Sequence, residues 1–250
     1  KAYMQATSNV IDQEKMAVIL QQVVGIQFGS RFYPSISGVA RSLNYYPIGD
    51  EKAEEGTVSL ALGLGKYIVD GGLTLRVCPY HPTQVLQTSE MEMALRETQT
   101  SFYALDLKNK GENFSLDDGF NLLKLPVKEA DKDGALQYIA STYDPYDMVI
   151  RDGIYPGGRK VITFANILQH EVFPLARILQ LVQEYGQSEM RRPVEIEFAV
   201  NLDPKEKSGT FYLLQVRPMV DVKADLSEDL NKIPEDQLLL KSNNSLGHGI

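Results

Sequence analysis

Val194-Glu195-Ile196-Glu197-Phe198-Ala199-Val200 and Phe211-Tyr212-Leu213-Leu214-Gln215-Val216-Arg217-Pro218 are the two runs whose alternation decides how this chain is read. In the first, Val194, Ile196, Phe198 and Val200 alternate with Glu195, Glu197 and Ala199, the period of a half-buried strand. Strict alternation in the second puts Gln215 and Arg217 on the side of Phe211 and Leu213. The connection from Asn201 to Gly209 holds Asp203-Pro204, two lysines and a glycine, so an antiparallel hairpin is expected. Pairing across it brings Glu197 opposite or diagonal to Gln215 and Arg217. A carboxylate, an amide oxygen and a guanidinium on one sheet face suit a Mg²⁺–polyphosphate complex. The oxygens ligate the hard cation, and the planar fork takes a phosphate.

Three further blocks stand upstream: Met16-Ala17-Val18-Ile19-Leu20-Gln21-Gln22-Val23-Val24, Ser37-Gly38-Val39-Ala40 and Ala61-Leu62-Gly63-Leu64-Gly65. With the hairpin they resemble, in order, the nucleotide-binding domain of the phosphoenolpyruvate synthase and pyruvate phosphate dikinase family. That ATP-grasp domain carries an "M-A-V-V-V-Q-x-M-V" strand, an "S-G-V-A/M" strand, a "W/Y-G-L-G" turn and a closing "(D/E)-I-E-(F/W)-A … L-Q-x-R-P". The ordering spans Met16 to Pro218 and is far more specific than any one block. The resemblance implies ATP and Mg²⁺ as ligands. It implies that Gln21 flanks adenine, that Glu197 and Gln215 hold the metal, and that Arg217 binds phosphate and acts in catalysis.

Two positions depart from the family pattern. Where an acid usually follows "G-L-G" stands Lys66, and where Asp is frequent downstream stands Arg76. If the family's acids hold metal, the change weakens metal binding; if the bases face phosphate, they supply charge of their own. The sequence leaves both open. Other chemistry has little support. His81 in Cys78-Pro79-Tyr80-His81-Pro82 has no second ligand at zinc-site spacing and reads as a turn histidine. His170, beside Glu171, reads as a solvated or capping side chain of a helix. His248 lacks the "G-G-x-T-S/C-H" context of the family's phosphohistidine.

The composition excludes several function classes. Against 25 bases stand 33 acids, and no basic run interleaves with aromatics, which argues against nucleic acid. No stretch reaches the apolar length of a membrane span and no signal-peptide core is present, so no membrane partner is expected. A single cysteine, Cys78, excludes an internal disulfide framework and points to a cytoplasmic home. The first residue is Lys1 rather than Met, so the chain is expected to be a piece of something longer.

Along the chain, Glu14 to Leu86 reads as short β-rich runs broken at Tyr33-Pro34, Pro47-Ile48-Gly49-Asp50 and Gly71-Gly72. Residues from about 87 to 160 lack family blocks and read as an insertion. Ser89 to Arg96 is a helix candidate there, Ser101 to Leu107 a strand, and Lys108 to Asn113 and Asp131 to Gly134 are turns. Thr163 to Tyr185 is the clearest helix, kinked or divided at Pro174 and closed by Gly186. Residues 221–250 turn acidic and polar and read as a linker.

The fold expected is α+β: the C-terminal lobe of an ATP-grasp domain over residues 1–220, with a largely antiparallel sheet and an inserted α/β segment. The partners implied by the resemblance are an N-terminal ATP-grasp lobe and a phosphohistidine domain of the same polypeptide, with a homo-oligomer left open. The function implied is an ATP-dependent phosphotransferase that passes a phosphoryl group to that histidine, the 250-residue piece being inactive alone. The alternative is a catalytically degenerate nucleotide-sensing or interaction module of a larger regulatory protein.

Overall fold

Ten residues of β-branched and aromatic alternation in Val194–Asp203 pair with Ser208–Pro218, and this hairpin forms one side of a five-stranded antiparallel sheet. The computed structural model describes residues 17–108, 119–203, 206 and 208–219. Numbered along the chain, the strands are β1 (Ile26–Phe28), β2 (Arg31–Tyr33), β3 (Ile36–Arg41), β4 (Thr57–Ala61), β5 (Leu75–Val77), β6 (Ser101–Asp106), β7 (Leu122–Pro126), β8 (Ala140–Asp144), β9 (Val149–Asp152), β10 (Arg159–Ile162), β11 (Val194–Asp203) and β12 (Ser208–Pro218). The α-helices are α1 (Lys66–Val69), α2 (Met91–Arg96), α3 (Val127–Lys132), α4 (Ala165–Leu168) and α5 (Leu175–Met190).

The architecture is α+β, with three antiparallel sheets where a single one was expected. The orders are β12-β11-β3-β4-β5, β1-β2-β6-β7 and β10-β8-β9. The stretch from 87 to 160 is woven through two of them: β6 pairs with β2, and β8 pairs with β9 and β10. One core runs under all three sheets, with Tyr33, Phe102, Phe164 and Phe198 among its largest fully buried side chains. Tyr33 of β2 and Phe102 of β6, on neighbouring strands of the second sheet, meet at 4.8 Å between ring centroids and pack that sheet into the core.

α5 covers one face of the five-stranded sheet. Its Leu175 and Leu179 are buried in the core, and Gly186 lets the helix lie close to Val194, Ile196 and Val216. Gly186 therefore serves packing inside the helix, not its end. The helix runs on to Met190 and stops at Arg191, which takes a left-handed conformation with φ +52°. Upstream, the expected continuous helix is two: α4 ends at Leu168, Glu171 turns the chain at φ +50°, and Pro174 caps α5. His170 thus lies between the helices, where Nε2 is 3.0 Å from an Asp152 carboxylate oxygen. The turn expected at Asp131 to Gly134 is the end of α3 followed by Gly134 at φ +73°.

The segment Ala17–Gly25 forms no regular strand, contrary to expectation, and Met16 lies outside the described residues. So do the linker at 221–250 and His248. Among the described residues, no helix is long and apolar enough to cross a membrane.

Candidate functional site

The sheet face opposite α5 carries the polar residues of the hairpin. Glu195 pairs with Arg217 and Glu197 with Gln215, after which the register slips so that Phe198 faces Leu213 and Leu214 is left as a bulge. The slip matters. Without it, period two would put Gln215 and Arg217 with Leu213 and Phe211, as strict alternation predicts. With it, Phe211 stacks on Phe198 at 5.1 Å on the core side, and Gln215 and Arg217 share the other face with Glu195 and Glu197. The one extra residue in β12 thus puts Gln215 and Arg217 on the face opposite to the one alternation alone predicts.

The neighbouring strands extend the face into rows. Val39 of β3 and Ser59 of β4 continue the Gln215–Glu197 row, which ends at Arg76 of β5. Arg41 of β3 and Thr57 of β4 continue the Arg217–Glu195 row. Ser37 of β3 lies beside Ala199. Its hydroxyl donates to the Gly63 carbonyl at 2.6 Å, which ties the "G-L-G" turn to this face. Gly63 itself has φ +85°, and a Cβ there would sit 2.7 Å from the Tyr103 carbonyl oxygen, so only glycine fits. The buried Gln99 amide holds the same turn from below, accepting from Leu62 N at 2.8 Å and donating to Leu62 O at 3.0 Å.

Across this face runs the segment that carries Gln21. Its amide donates to the carbonyl of the bulged Leu214 at 3.1 Å, next to Gln215. Gln21, Ser37, Leu64, Gly65, Ala199 and Leu214 line one small cavity of about 190 Å³, in which residues from all four sequence blocks meet. A larger cavity of about 660 Å³ continues between Gln21–Gly25 and the outer half of the hairpin.

The charges on the face fall into two groups. Glu195, 9% exposed, is bracketed by two guanidinium groups: Arg41 Nε stands 2.8 Å from Oε2, and Arg217 donates to Oε1 through Nε at 2.9 Å and through Nη2. Burial alone would push the Glu195 carboxyl up, but the hydrogen bonds from Arg41 and Arg217 outweigh it and hold the group below the usual carboxylate range. Glu197 and Gln215 form the second group. They face each other across the hairpin, and among the described residues neither side chain makes a hydrogen bond or ion pair. The sequence reading of Glu197, Gln215 and Arg217 did not foresee Glu195 or Arg41. Both were visible in principle, Glu195 as the residue two before Glu197 and Arg41 as the residue two after Val39, each on the same strand face.

The two bases that replace family acids have partners. Arg76 grips Glu51, Nη2 to Oε2 at 2.7 Å and Nη1 to Oε1 at 3.1 Å, and also donates to the Tyr46 carbonyl. Lys66 Nζ lies 3.3 Å from Asp70, one helical turn on. His81 lies in the loop after β5, its backbone N–H donating to Cys78 O and its Nε2 3.0 Å from Glu55. Among the described residues, no three His, Cys, Asp or Glu side chains gather as a ready-made metal cluster. A cation held by Glu197 and Gln215 would draw its remaining oxygens from water or from a ligand, the manner in which Mg²⁺ is bound with substrate phosphates.

A sheet face with an open acceptor pair, a guanidinium beside it and a glycine turn at its end defines an α+β domain suited to a metal–phosphate ligand. The chain belongs to the pyruvate phosphate dikinase AMP/ATP-binding domain family, whose model matches residues 1–237. No curated protein matches the chain.

Proposed function

We propose that this chain binds Mg·ATP on the sheet face opposite α5, as the C-terminal lobe of an ATP-grasp domain, and that its longer protein passes a phosphoryl group from ATP to a histidine on a separate domain. The observation that carries the reading is the slipped register of the hairpin, which collects Glu197, Gln215 and Arg217 on one face. Glu197 and Gln215 hold the metal, Gln21 borders the base, and Arg217 steadies the transferring phosphoryl group. Bound Mg²⁺ would neutralise part of the phosphate charge. The protein's share is positioning: Glu195 fixes the Arg217 fork, and its Nη1 keeps donors without a partner among the described residues.

The test is made in the full-length protein. Glu197→Gln keeps the shape and removes the charge, so metal-dependent turnover is expected to fall at least about a hundredfold, as for loss of one electrostatic group at a reacting centre. Arg217→Lys is expected to be damaging too, since an ammonium cannot reproduce a two-pronged contact. Near-normal rates in both variants would mean that the nucleotide is held elsewhere.

A second reading, a nucleotide-sensing module without catalysis, draws on Arg76 and Lys66, whose charges are partnered within the chain by Glu51 and Asp70. Incubating the full-length protein with ATP labelled in its phosphates separates the two. A phosphohistidine supports the enzyme, and nucleotide binding without any phosphoprotein supports the sensor.

A further inference from the structure

The geometry points to Arg41 as a second phosphate-binding guanidinium, held beside Arg217 by the carboxylate that the two share. This rests on the nucleotide site proposed above and adds a residue that none of the family-like blocks contains. Arg41 lies at the end of β3, where Glu195 of β11 is its register partner on one side of the strand and Thr57 of β4 on the other. Glu195 has Arg217 as its partner across the hairpin, so the three side chains stand in one row as Arg, Glu, Arg.

The row is unequal in charge. One buried carboxylate neutralises one of the two guanidinium groups and leaves an excess positive charge within that row, beside the acid Glu197 in the next. The Glu195 side chain is 11% exposed, whereas Arg41 and Arg217 are 52% and 57% exposed, so the carboxylate lies below and the cations above it. Arg41 uses Nε on Glu195, and neither of its Nη groups makes a hydrogen bond among the described residues. Those donors and Nη1 of Arg217 remain for an anion. Guanidinium forks match phosphate oxygens in spacing and plane.

The adjoining row on the same face holds Glu197 and Gln215, two residues along each strand. A cation-bound polyphosphate lying along the hairpin would meet the acceptor pair at one phosphate and the guanidinium pair at the next. The backbone keeps Arg41 in place. Its carbonyl accepts from Gln183 Nε2 at 3.0 Å, and the next residue, Ser42, exchanges hydrogen bonds with Val194 through both its N–H and its hydroxyl. An arginine so fixed loses little on binding a ligand.

Calorimetry or ligand-observed NMR on the 250-residue chain, with Mg·ATP and adenosine as probes, tests the proposal. Arg41→Met is expected to weaken Mg·ATP about fivefold or more, the scale of one charge-assisted contact at a half-exposed site, and to leave adenosine within about twofold. Arg41→Lys guards against loss of the fold, because an ammonium still pairs with Glu195. It is expected to weaken Mg·ATP as well, since it lacks the free fork. Lysine at wild-type affinity, or a Met variant that weakens adenosine as much as Mg·ATP, would overturn the assignment. Glu197→Gln serves as the control on the site itself. If it weakens Mg·ATP while both Arg41 variants bind normally, Arg41 is excluded and the site stands. If none of the three changes binding, the site reading fails with it.

Discussion

Arg76 and Glu51 show, at the scale of single residues, how a departure from a family pattern is absorbed. The Glu51 side chain is 3% exposed and accepts from Asn44 Nδ2 and Ile48 N, both at 3.0 Å, besides both arms of Arg76. Burial pushes this carboxyl up, while Arg76, the Ile48 N–H and Asn44 together pull it below its ordinary 4.5. The sign of the pH dependence follows. A carboxyl lowered in the folded state contributes stability above its unfolded value, lost as pH falls through the folded one. Arg76→Met leaves the buried carboxylate without its cation, and a loss of about 3 kcal/mol is expected at pH 7. In the variant, burial dominates and Glu51 takes a proton more readily, so the gap between the two proteins should close below about pH 5. Urea unfolding at a series of pH values checks this, and a gap independent of pH would show that the pair is not its source. Nothing in the linear sequence joins residues 51 and 76, so the base at position 76 was visible there and its partner was not.

At the scale of elements, β3 and β11 are matched by one contact. Gly38 is the register partner of Phe198, and a Cβ on it would sit 2.1 Å from the Phe198 ring. That ring is 1% exposed and stacked on Phe211, so it has nowhere to move. Gly38→Ala is expected to destabilise by about 2 kcal/mol through overpacking, and adding Phe198→Leu should restore part of the loss. Thermal unfolding of the two single variants and the double variant measures the coupling; strictly additive losses would mean that the glycine serves the backbone alone. The same pair shows why parts of the fold were legible. Strands such as β11 declare themselves through period two, because one face must be buried. The slip at Leu214 has no such signature: it is a choice of register, and the polar and apolar sides of β12 exchange on it. Helix ends are less legible. Gly186 has the form of a cap in the sequence, yet it faces Val194 and Ile196, where the absence of a side chain admits the sheet. Tertiary packing decided the matter over local propensity.

For the whole molecule, the four sequence blocks meet in space although some 200 residues of chain separate the first from the last, as Gln21 on the Leu214 carbonyl shows most directly. What sequence order could not reveal is how the stretch from 87 to 160 joins them, because sheet pairing between distant strands such as β2 and β6 leaves no local pattern. Val18, Ile19 and Leu20 are 83%, 87% and 94% exposed, an apolar run with nothing packed over it among the described residues. An ATP-grasp site closes between two lobes, and the family resemblance implies a lobe upstream of this run. Without that lobe, a triphosphate bound as proposed on the hairpin face would stay largely in water, where Arg217 and a metal would act through a high dielectric and each contact would be worth little. A protein extended upstream should cover the apolar run and dehydrate the phosphates together. Its affinity for Mg·ATP is expected to exceed that of the 250-residue chain by more than tenfold, or about 1.4 kcal/mol. Calorimetry on both proteins at one ionic strength makes the comparison. Micromolar binding by the shorter chain, unchanged on extension, would mean that the hairpin face is a complete site rather than one wall of a cleft.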